Sequence, residues 1–301
     1  MSLYDDPEKV RGEEADIAYF IPVHNGAKHL KDALTSLAEQ TLAPHKVYIF
    51  ENCSTDDTVE IAQDFVDRYP NFELHPASEF LSAKENFDRA YAHVTKRHAF
   101  FAALAHDDAL APNFVEVLYE MLVANPKALV AVGDVVKIGE TNDEPVGVDP
   151  AILDSKQYAN PKRGFKRIVF PASWYYGIYR GQMARDLMLS SASEFPHLWA
   201  GDRMLTLHFL LRGQLVYSPK THFRWRAGSD SFRAYAEKRA IKMLKRRVKY
   251  HAILWSHRRF IQPATLRARI AYWFLCYHTA ASDTYRLEPL LLGKYRKYHR
   301  R

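Results

Sequence analysis

The chain has only two cysteines, Cys53 and Cys276, among 301 residues. That excludes a disulfide framework and fits a reducing compartment. Glycine is sparse, at 12 residues, and no glycine-rich loop follows the first apolar run, where Pro22-Val23-His24-Asn25-Gly26 stands instead. A glycine-rich phosphate cradle of the kind nucleotidyltransferases use is thereby excluded. No apolar run approaches the ~20 residues of a bilayer-spanning helix; Ile270–Tyr277, the most apolar late stretch, is far too short. Met1–Glu14 is polar and charged rather than a secretory signal, so a cytoplasmic protein with a loose amino-terminal tail is expected. Internal repeats and low-complexity segments are missing too. Acidic residues nearly vanish late in the chain: residues 232–301 hold 18 Lys/Arg against Glu237, Asp283 and Glu288. The net charge of +7 is therefore concentrated there, and the first 231 residues are net acidic. Such asymmetry marks either a surface for an anionic partner or a solvated helical face.

With 48% apolar residues the chain can bury a substantial core. Ala15–Val23 reads as a buried strand, and Lys28–Gln40 as a helix with Leu30, Leu34 and Leu37 on one face. Lys46–Phe50 is a strand, and Thr58–Tyr69 a helix stopped by Pro70. Phe72–His75 (strand), Ala83–Val94 (helix), Phe100–Leu104 (strand), Phe114–Leu122 (helix) and Leu129–Val136 (strand) continue the alternation. This order predicts βαβ units on a mostly parallel sheet. Beyond Gly139 the pattern loosens. Loops with a short helix near Arg163–Val169 are expected, then helices at Met183–Ser190 and Asp202–Leu211 and a strand at Gln214–Tyr217. Helices broken by Pro263 follow.

Two polar clusters carry the chemistry. Glu51-Asn52-Cys53-Ser54-Thr55-Asp56 follows one strand-like run and His106-Asp107-Asp108 another. Groups just past parallel strands converge at the sheet edge where open α/β folds bind ligands. Adjacent carboxylates repel unless a cation offsets them, so Asp107 and Asp108 suit a divalent metal on a diphosphate; a solvated turn is the competing reading. Within the first cluster, Ser54 or Thr55 suits a helix cap, and Asp56 and Asp57 suit the helix's positive end. Glu51 and Asn52 remain, placed at a strand's exit where they could read a base edge by accepting from its N–H.

Ile21-Pro22-Val23-His24-Asn25, then ENCSTDDT, then HDDALAP, taken in order, resemble the family 2 glycosyltransferases of the GT-A fold. The resemblance continues more weakly through Gly201-Asp202 and Phe223–Ser231. It implies an α/β fold, Rossmann-like, with a mostly parallel central sheet flanked by helices and a basic helical carboxy-terminal extension. The implied organisation is a tail (1–14), a nucleotide-sugar-binding half (15–138), an acceptor-binding half with the catalytic base (139–231) and the extension (232–301). The implied activity is inverting transfer of one sugar from a nucleotide-diphosphate sugar, a UDP-sugar, to a hydroxyl of a glycan or lipid-linked acceptor. Surface polysaccharide or glycoconjugate biosynthesis is the expected setting. A processive synthase is not expected, because the Q-x-x-R-W segment and membrane spans are missing.

By the same resemblance, Pro22, Val23, Asn25, Glu51, Asn52, Lys84 and Asp107 would contact the donor, and Asp108 with Asp107 would hold Mn²⁺ or Mg²⁺. Arg224, Arg226 and Ser231 would clamp the diphosphate from a flexible loop. Asp202 would be the general base, the competing reading being a helix N-cap. Ala105, where relatives carry an acid, implies a metal site with few protein ligands. Trp174, Tyr176 and Trp199 are aromatic candidates for an acceptor sugar, or simply core. In the tail, Ile241, Leu244, Val248 and Trp255 follow helical spacing among lysines and arginines. The expected partner of residues 232–301 is an anionic surface on the membrane's inner face, or else the helix packs on the catalytic domain. An oligomer is compatible with the sequence. Two rival readings are a catalytically inactive scaffold of the same fold and a nucleic-acid-binding protein. The latter leaves both acidic clusters unexplained, so no nucleic-acid partner is expected.

Overall fold

The computed structural model describes residues 15–138, 144–146, 148–160, 167–197, 200–226 and 240–284. Seven consecutive buried residues make β1 (Ile17–Val23), a run that only a strand covered on both faces sustains. It is followed by α1 (Ala27–Ala38), β2 (Lys46–Glu51), α2 (Thr58–Arg68), β3 (Phe72–Pro76), α3 (Ala83–Val94) and β4 (Phe100–Ala103). Next come β5 (Ala109–Leu110), α4 (Phe114–Ala124), β6 (Val130–Ile138), β7 (Glu144–Pro145), β8 (Ile178–Arg180), α5 (Gly181–Glu194), α6 (Gly201–Leu211) and β9 (Leu215–Arg226). The last helices are α7 (Ala240–Ser256), α8 (Arg258–Ile261) and α9 (Leu266–Asp283), with Pro263 between the latter two.

The strands form one sheet in the order β3-β2-β1-β4-β8-β6-β9-β5, with β7 on β6. β3, β2, β1 and β4 are all parallel, as is the long β6–β9 pair, while β8 runs antiparallel to both of its neighbours. This is the GT-A α/β architecture, mostly parallel over its paired length. Pro22 sits in a central strand at little cost. Phe20 accepts from Leu104, so by alternation Pro22 also faces β4, which has already ended.

The expected strand at Gln214–Tyr217 runs on to Arg226. Its register jumps from Gly133↔Ser218 to Asp134↔His222. Pro219 falls inside that bulge, where a missing N–H is harmless, and the strand resumes beyond it. In the sequence Ser218-Pro219-Lys220 looks like a turn. The expected helix near Arg163–Val169 lies mostly outside the described residues, and residues 167–170 are not helical.

Contacts divide the described residues into two units. The first holds those up to Val148, Tyr176–Leu187 and those from Gln214 to Arg226, and therefore all nine strands. The second holds Asp149–Tyr175, Met188–Gly213 and those from 240 onward. The segment 139–231, expected to stay together, is thus shared out, because β8 and β9 complete the sheet. Within the second unit every residue of α6 from Met204 to Leu211 is buried. Tyr250 of α7 and Tyr272 of α9 are fully buried, and Tyr272 Oη donates to the Leu254 carbonyl at 2.8 Å.

Candidate active site

Register places three strand exits side by side. Val23 pairs with Glu51 and Phe20 with Ala103, so β1, β2 and β4 end at the same edge. Both polar clusters begin there.

The turn after β1 and the turn after β2 are laced together. Asn25 adopts φ 50, and its N–H donates to Ser54 Oγ at 2.9 Å. Gly26 N–H donates to Thr58 Oγ1 at 2.8 Å and Ala27 N–H to Asp56 Oδ2 at 3.1 Å. Thr55 N–H returns the bond to Asn25 Oδ1 at 2.8 Å. The first N–H groups of a helix have no partner within it; for α1 they are met by side chains of the neighbouring turn. Burial alone would raise the Asp56 pKa, but hydrogen bonds from Thr58 and Ala27 bring it below the usual carboxylate value. Ser54 therefore does not cap α2, whose N-cap is Asp57 with no side-chain bond. The polar pattern is spent on joining two loops.

Gly26 is needed for space, since its φ of −102 suits any residue. A Cβ there would lie 2.6 Å from Val23 Cγ2 and 2.7 Å from His106 Cδ2. The His106 ring thus rests against the β1 turn, and burial lowers its pKa, leaving it neutral. Gly26→Ala should destabilise the fold by about 1–3 kcal/mol in urea denaturation; an unchanged midpoint would show that His106 swings aside freely.

Asn52 is 3% exposed and turns its amide to the neighbouring loop. Its Nδ2 donates to the Leu81 carbonyl and its Oδ1 accepts from Leu81 N–H, both at 2.9 Å. Glu51 is 3% exposed and accepts from Ser54 N–H at 2.5 Å. Of these two residues, expected at the base, Asn52 instead holds the loop that presents Phe80, and the Glu51 carboxylate closes the turn after β2. That ring is 64% exposed and meets His24 edge-on at 4.9 Å. Sequence reasoning missed Phe80, because one aromatic in a polar loop has no period to mark it. Lys84 lies in the first turn of α3, behind a Ser82–Glu85 capping box, and pairs with Asp88 at 2.5 Å. Pro22 and Val23 are buried within β1, while Asn25 is exposed.

The acid pair occupies the turn between β4 and β5. Asp108 is 4% exposed, and its Oδ1 accepts from Arg226 N–H at 2.7 Å. Among the described residues nothing donates to its Oδ2. Burial pushes its pKa up to about 7; Asp107 adds to the rise and Arg226 opposes it. Arg226 closes β9 and turns back: its Nε donates to the Asp107 carbonyl at 2.9 Å, and Nη2 meets Asp32 at 3.1 Å. Arg224 pairs with Ala109 in the β5–β9 ladder. Both arginines therefore stand on a strand, not a flexible loop, and Arg226 anchors the acid turn itself. Ser231 and Trp199 lie outside the described residues.

A buried carboxylate raised in pKa beside a second carboxylate is a donor set that a hard divalent cation would stabilise. No group of three or more His, Cys, Asp or Glu side chains suited to a metal exists among the described residues. Asp108 and Asp107 would thus leave most coordination positions to ligand oxygens and water.

The acceptor aromatics separate. Trp174 is 1% exposed and stacks on Phe170 at 5.9 Å, so its face is taken by the core. Tyr176 stacks on Phe223 at 5.1 Å with ring planes 5° apart. The buried Trp174 offers no face to a sugar, whereas Tyr176 keeps partial exposure.

Asp202 belongs to the second unit. It is the second residue of α6, whose N-cap is Ala200 at φ 64, so Asp202 is not the cap. Its Oδ1 accepts from Arg203 N–H at 2.7 Å. Burial raises its pKa to about 6 against the pull of Arg203. Arg203 is itself fixed: Nε ion-pairs with Asp283 at 2.9 Å, Nη1 donates to the Phe170 carbonyl at 2.7 Å, and the guanidinium lies 4.3 Å over the Phe170 ring. Tyr250 Oη donates to Asp283 at 2.8 Å. The start of α6 is therefore braced by α7 and α9, a link between distant residues that no local pattern announces.

The model of glycosyl transferase family 2 matches residues 19–203. An uncharacterized glycosyltransferase of Escherichia coli K12, YibD, is 29% identical over 106 residues, 35% of this chain and 30% of that protein. The chondroitin synthase of Escherichia coli is 30% identical over 104 residues, 34% of this chain and 14% of that protein. The chain thus matches less than a third of the length of either curated relative. Among solved structures, residues 1–349 of Staphylococcus aureus TarS, in complex with UDP-GlcNAc, superpose with a TM-score of 0.60 at 15% identity, covering 92% of this chain and 75% of that one. That likeness is one of fold.

Proposed function

Because the chain belongs to glycosyl transferase family 2, we propose that it moves one sugar from a nucleotide-diphosphate sugar to a hydroxyl of a glycan or lipid-linked acceptor. The observation that carries this is the buried Asp108 beside Asp107, held at the sheet edge by the backbone of Arg226. The UDP-GlcNAc complex of the TarS fragment supports a UDP-sugar as donor. Surface polysaccharide or glycoconjugate assembly is the setting in which we place the reaction.

In this reading Asp108 and Asp107 would hold Mn²⁺ or Mg²⁺. When bound, the cation supplies positive charge to the leaving nucleoside diphosphate. The chain's own residues do the rest. Arg224, paired with β5 near the end of β9, faces the diphosphate with a guanidinium suited to bidentate phosphate contacts. Phe80 offers an exposed ring on which the nucleobase stacks, with the Asn52–Leu81 bonds keeping its loop in place. Asp202 takes the acceptor hydroxyl's proton as that oxygen attacks the anomeric carbon. Attack opposite the leaving group inverts the anomeric configuration. A pKa near 6 leaves the Asp202 carboxylate ionised at neutral pH yet more basic than an exposed aspartate.

A thermal-shift screen of UDP-, GDP-, dTDP- and CMP-sugars, with and without Mn²⁺, tests this directly. The true donor raises the melting temperature, because it binds only the native state. Phe80→Ala should weaken that donor by about 1–3 kcal/mol, the worth of a base–aromatic stack. A full-sized shift in the variant would move the base elsewhere, and no shift with any nucleotide sugar would defeat the donor assignment.

A further inference from the structure

Helices α7 and α9 each bury one face and leave a second apolar face in solvent. On α7, Met243, Tyr250 and Leu254 are buried, whereas Ile241, Leu244 and Val248 are 73%, 49% and 61% exposed. On α9, Ala268, Tyr272 and Leu275 are buried, whereas Leu266, Ile270, Trp273 and Tyr277 are 73%, 48%, 40% and 39% exposed. Both exposed sets recur every three or four residues, so each forms a stripe. The helix does pack, as one reading of the sequence expected, but through the face opposite the stripe.

The two stripes are neighbours. His251, one turn beyond Val248, holds its ring 4.9 Å from Trp273. One turn further, Trp255 stacks on Tyr272 at 5.8 Å, and Trp273 stacks on Tyr277 with planes 5° apart. They form one apolar band across both helices.

The band lies in a field of one sign. Residues 240–284 contain nine Lys/Arg and a single acid, Asp283. That acid is buried and held by Arg203 and Tyr250, so it offsets nothing at the surface. Lys242, Lys245, Lys249, Arg267 and Arg269 are exposed beside the stripes.

We infer that the α7–α9 band is a docking surface for an anionic phospholipid bilayer. The aliphatic and aromatic side chains enter the boundary between headgroups and acyl chains, and the flanking cations meet the phosphates. No described helix is long and apolar enough to cross a membrane, so the contact is interfacial. The charge argues against a second copy of the chain, since two such faces repel one another. The aliphatic content argues against nucleic acid, because Ile241, Leu244, Val248, Leu266 and Ile270 have no counterpart among stacked bases. The test of this surface does not depend on catalysis.

The full chain is co-sedimented with phosphatidylcholine vesicles with and without phosphatidylglycerol. Binding to the phosphatidylglycerol vesicles alone, weakened by salt, is the expected result. The pair Leu244→Gln with Ile270→Gln should bind at least about tenfold more weakly, since both side chains lose the bilayer. Both positions are exposed, so the variant's circular dichroism and melting temperature should match the parent's. Failure of the parent to bind, or equal binding by the pair, would overturn the inference. So would a dimer that dissociates in the variant, or oligonucleotide binding that the variant loses.

Discussion

Asp108→Ala should lower metal-dependent sugar transfer by at least about a hundredfold, the scale of losing a principal electrostatic contact to the leaving group. The fold should survive, because a carboxylate that burial has already pushed up to about 7 gives the apoprotein no stabilisation by being charged at neutral pH. Removing it takes away one hydrogen bond, to Arg226 N–H, and one source of repulsion with Asp107. Two measurements separate the roles. Mn²⁺ titration should produce a thermal shift in the parent that the variant lacks, and transfer should fall in parallel. If the variant keeps both the metal-induced shift and the rate, the acid pair is a structural turn. Arg226 could not then be described as presenting a metal ligand.

Asp202→Asn should leave donor binding by calorimetry unchanged and reduce transfer by about 10²–10⁴-fold, the range for a general base. The pH profile gives the sharper reading. With a pKa near 6, the parent's rate should rise tenfold per pH unit below that value and level off above it. The variant's residual rate should lack that limb. Stability runs the other way. Burial raises this acid's pKa in the folded state, so the native protein holds the proton more tightly than the unfolded chain. Its charging therefore costs stability progressively between pH 3.8 and about 6. The neutral asparagine escapes that cost. Asp202→Asn should thus melt no lower than the parent at pH 7, and the two should converge below pH 4. A variant that transfers at the parent's rate would place the base elsewhere. One that is inactive and also melts far lower would assign Asp202 to the brace formed by Arg203, Asp283 and Tyr250.

Much of the first unit was legible because its signals are local. Seven apolar residues in a row, leucines at helical spacing in α1 and Pro70 after α2 report burial, period and termination within a few residues. The strand β9 was cut short for an equally definite reason: Pro219 mimics a turn unless one knows that Gly133 and Asp134 on β6 accommodate a bulge. Strands β5 and β8, of two and three residues, are too short to carry any period and exist through their neighbours.

The polar motifs divide the same way. Their residue types told where two loops must meet a ligand-binding edge, but not which atoms remain free once the loops have satisfied their own backbone. Asn52 turns its amide to Leu81, Asp56 accepts from the Ala27 N–H of α1, and Arg226 holds the acid turn through its backbone and Nε. Hydrogen-bond accounting of that kind is non-local, since each partner lies between 29 and 119 positions away.

By itself, then, the sequence determined the alternating α/β order, the family pattern of its polar clusters and a basic, acid-poor carboxy-terminal region. These follow from composition and spacing, which every residue carries with it. Tertiary structure alone decided that Asp108 is the buried, raised carboxylate and that Phe80 is exposed. It alone decided that Asp202 is braced by helices far along the chain, and which stripe of α7 faces water. Burial and pairing are properties of a site's surroundings, and chain segments far apart in sequence supply those surroundings.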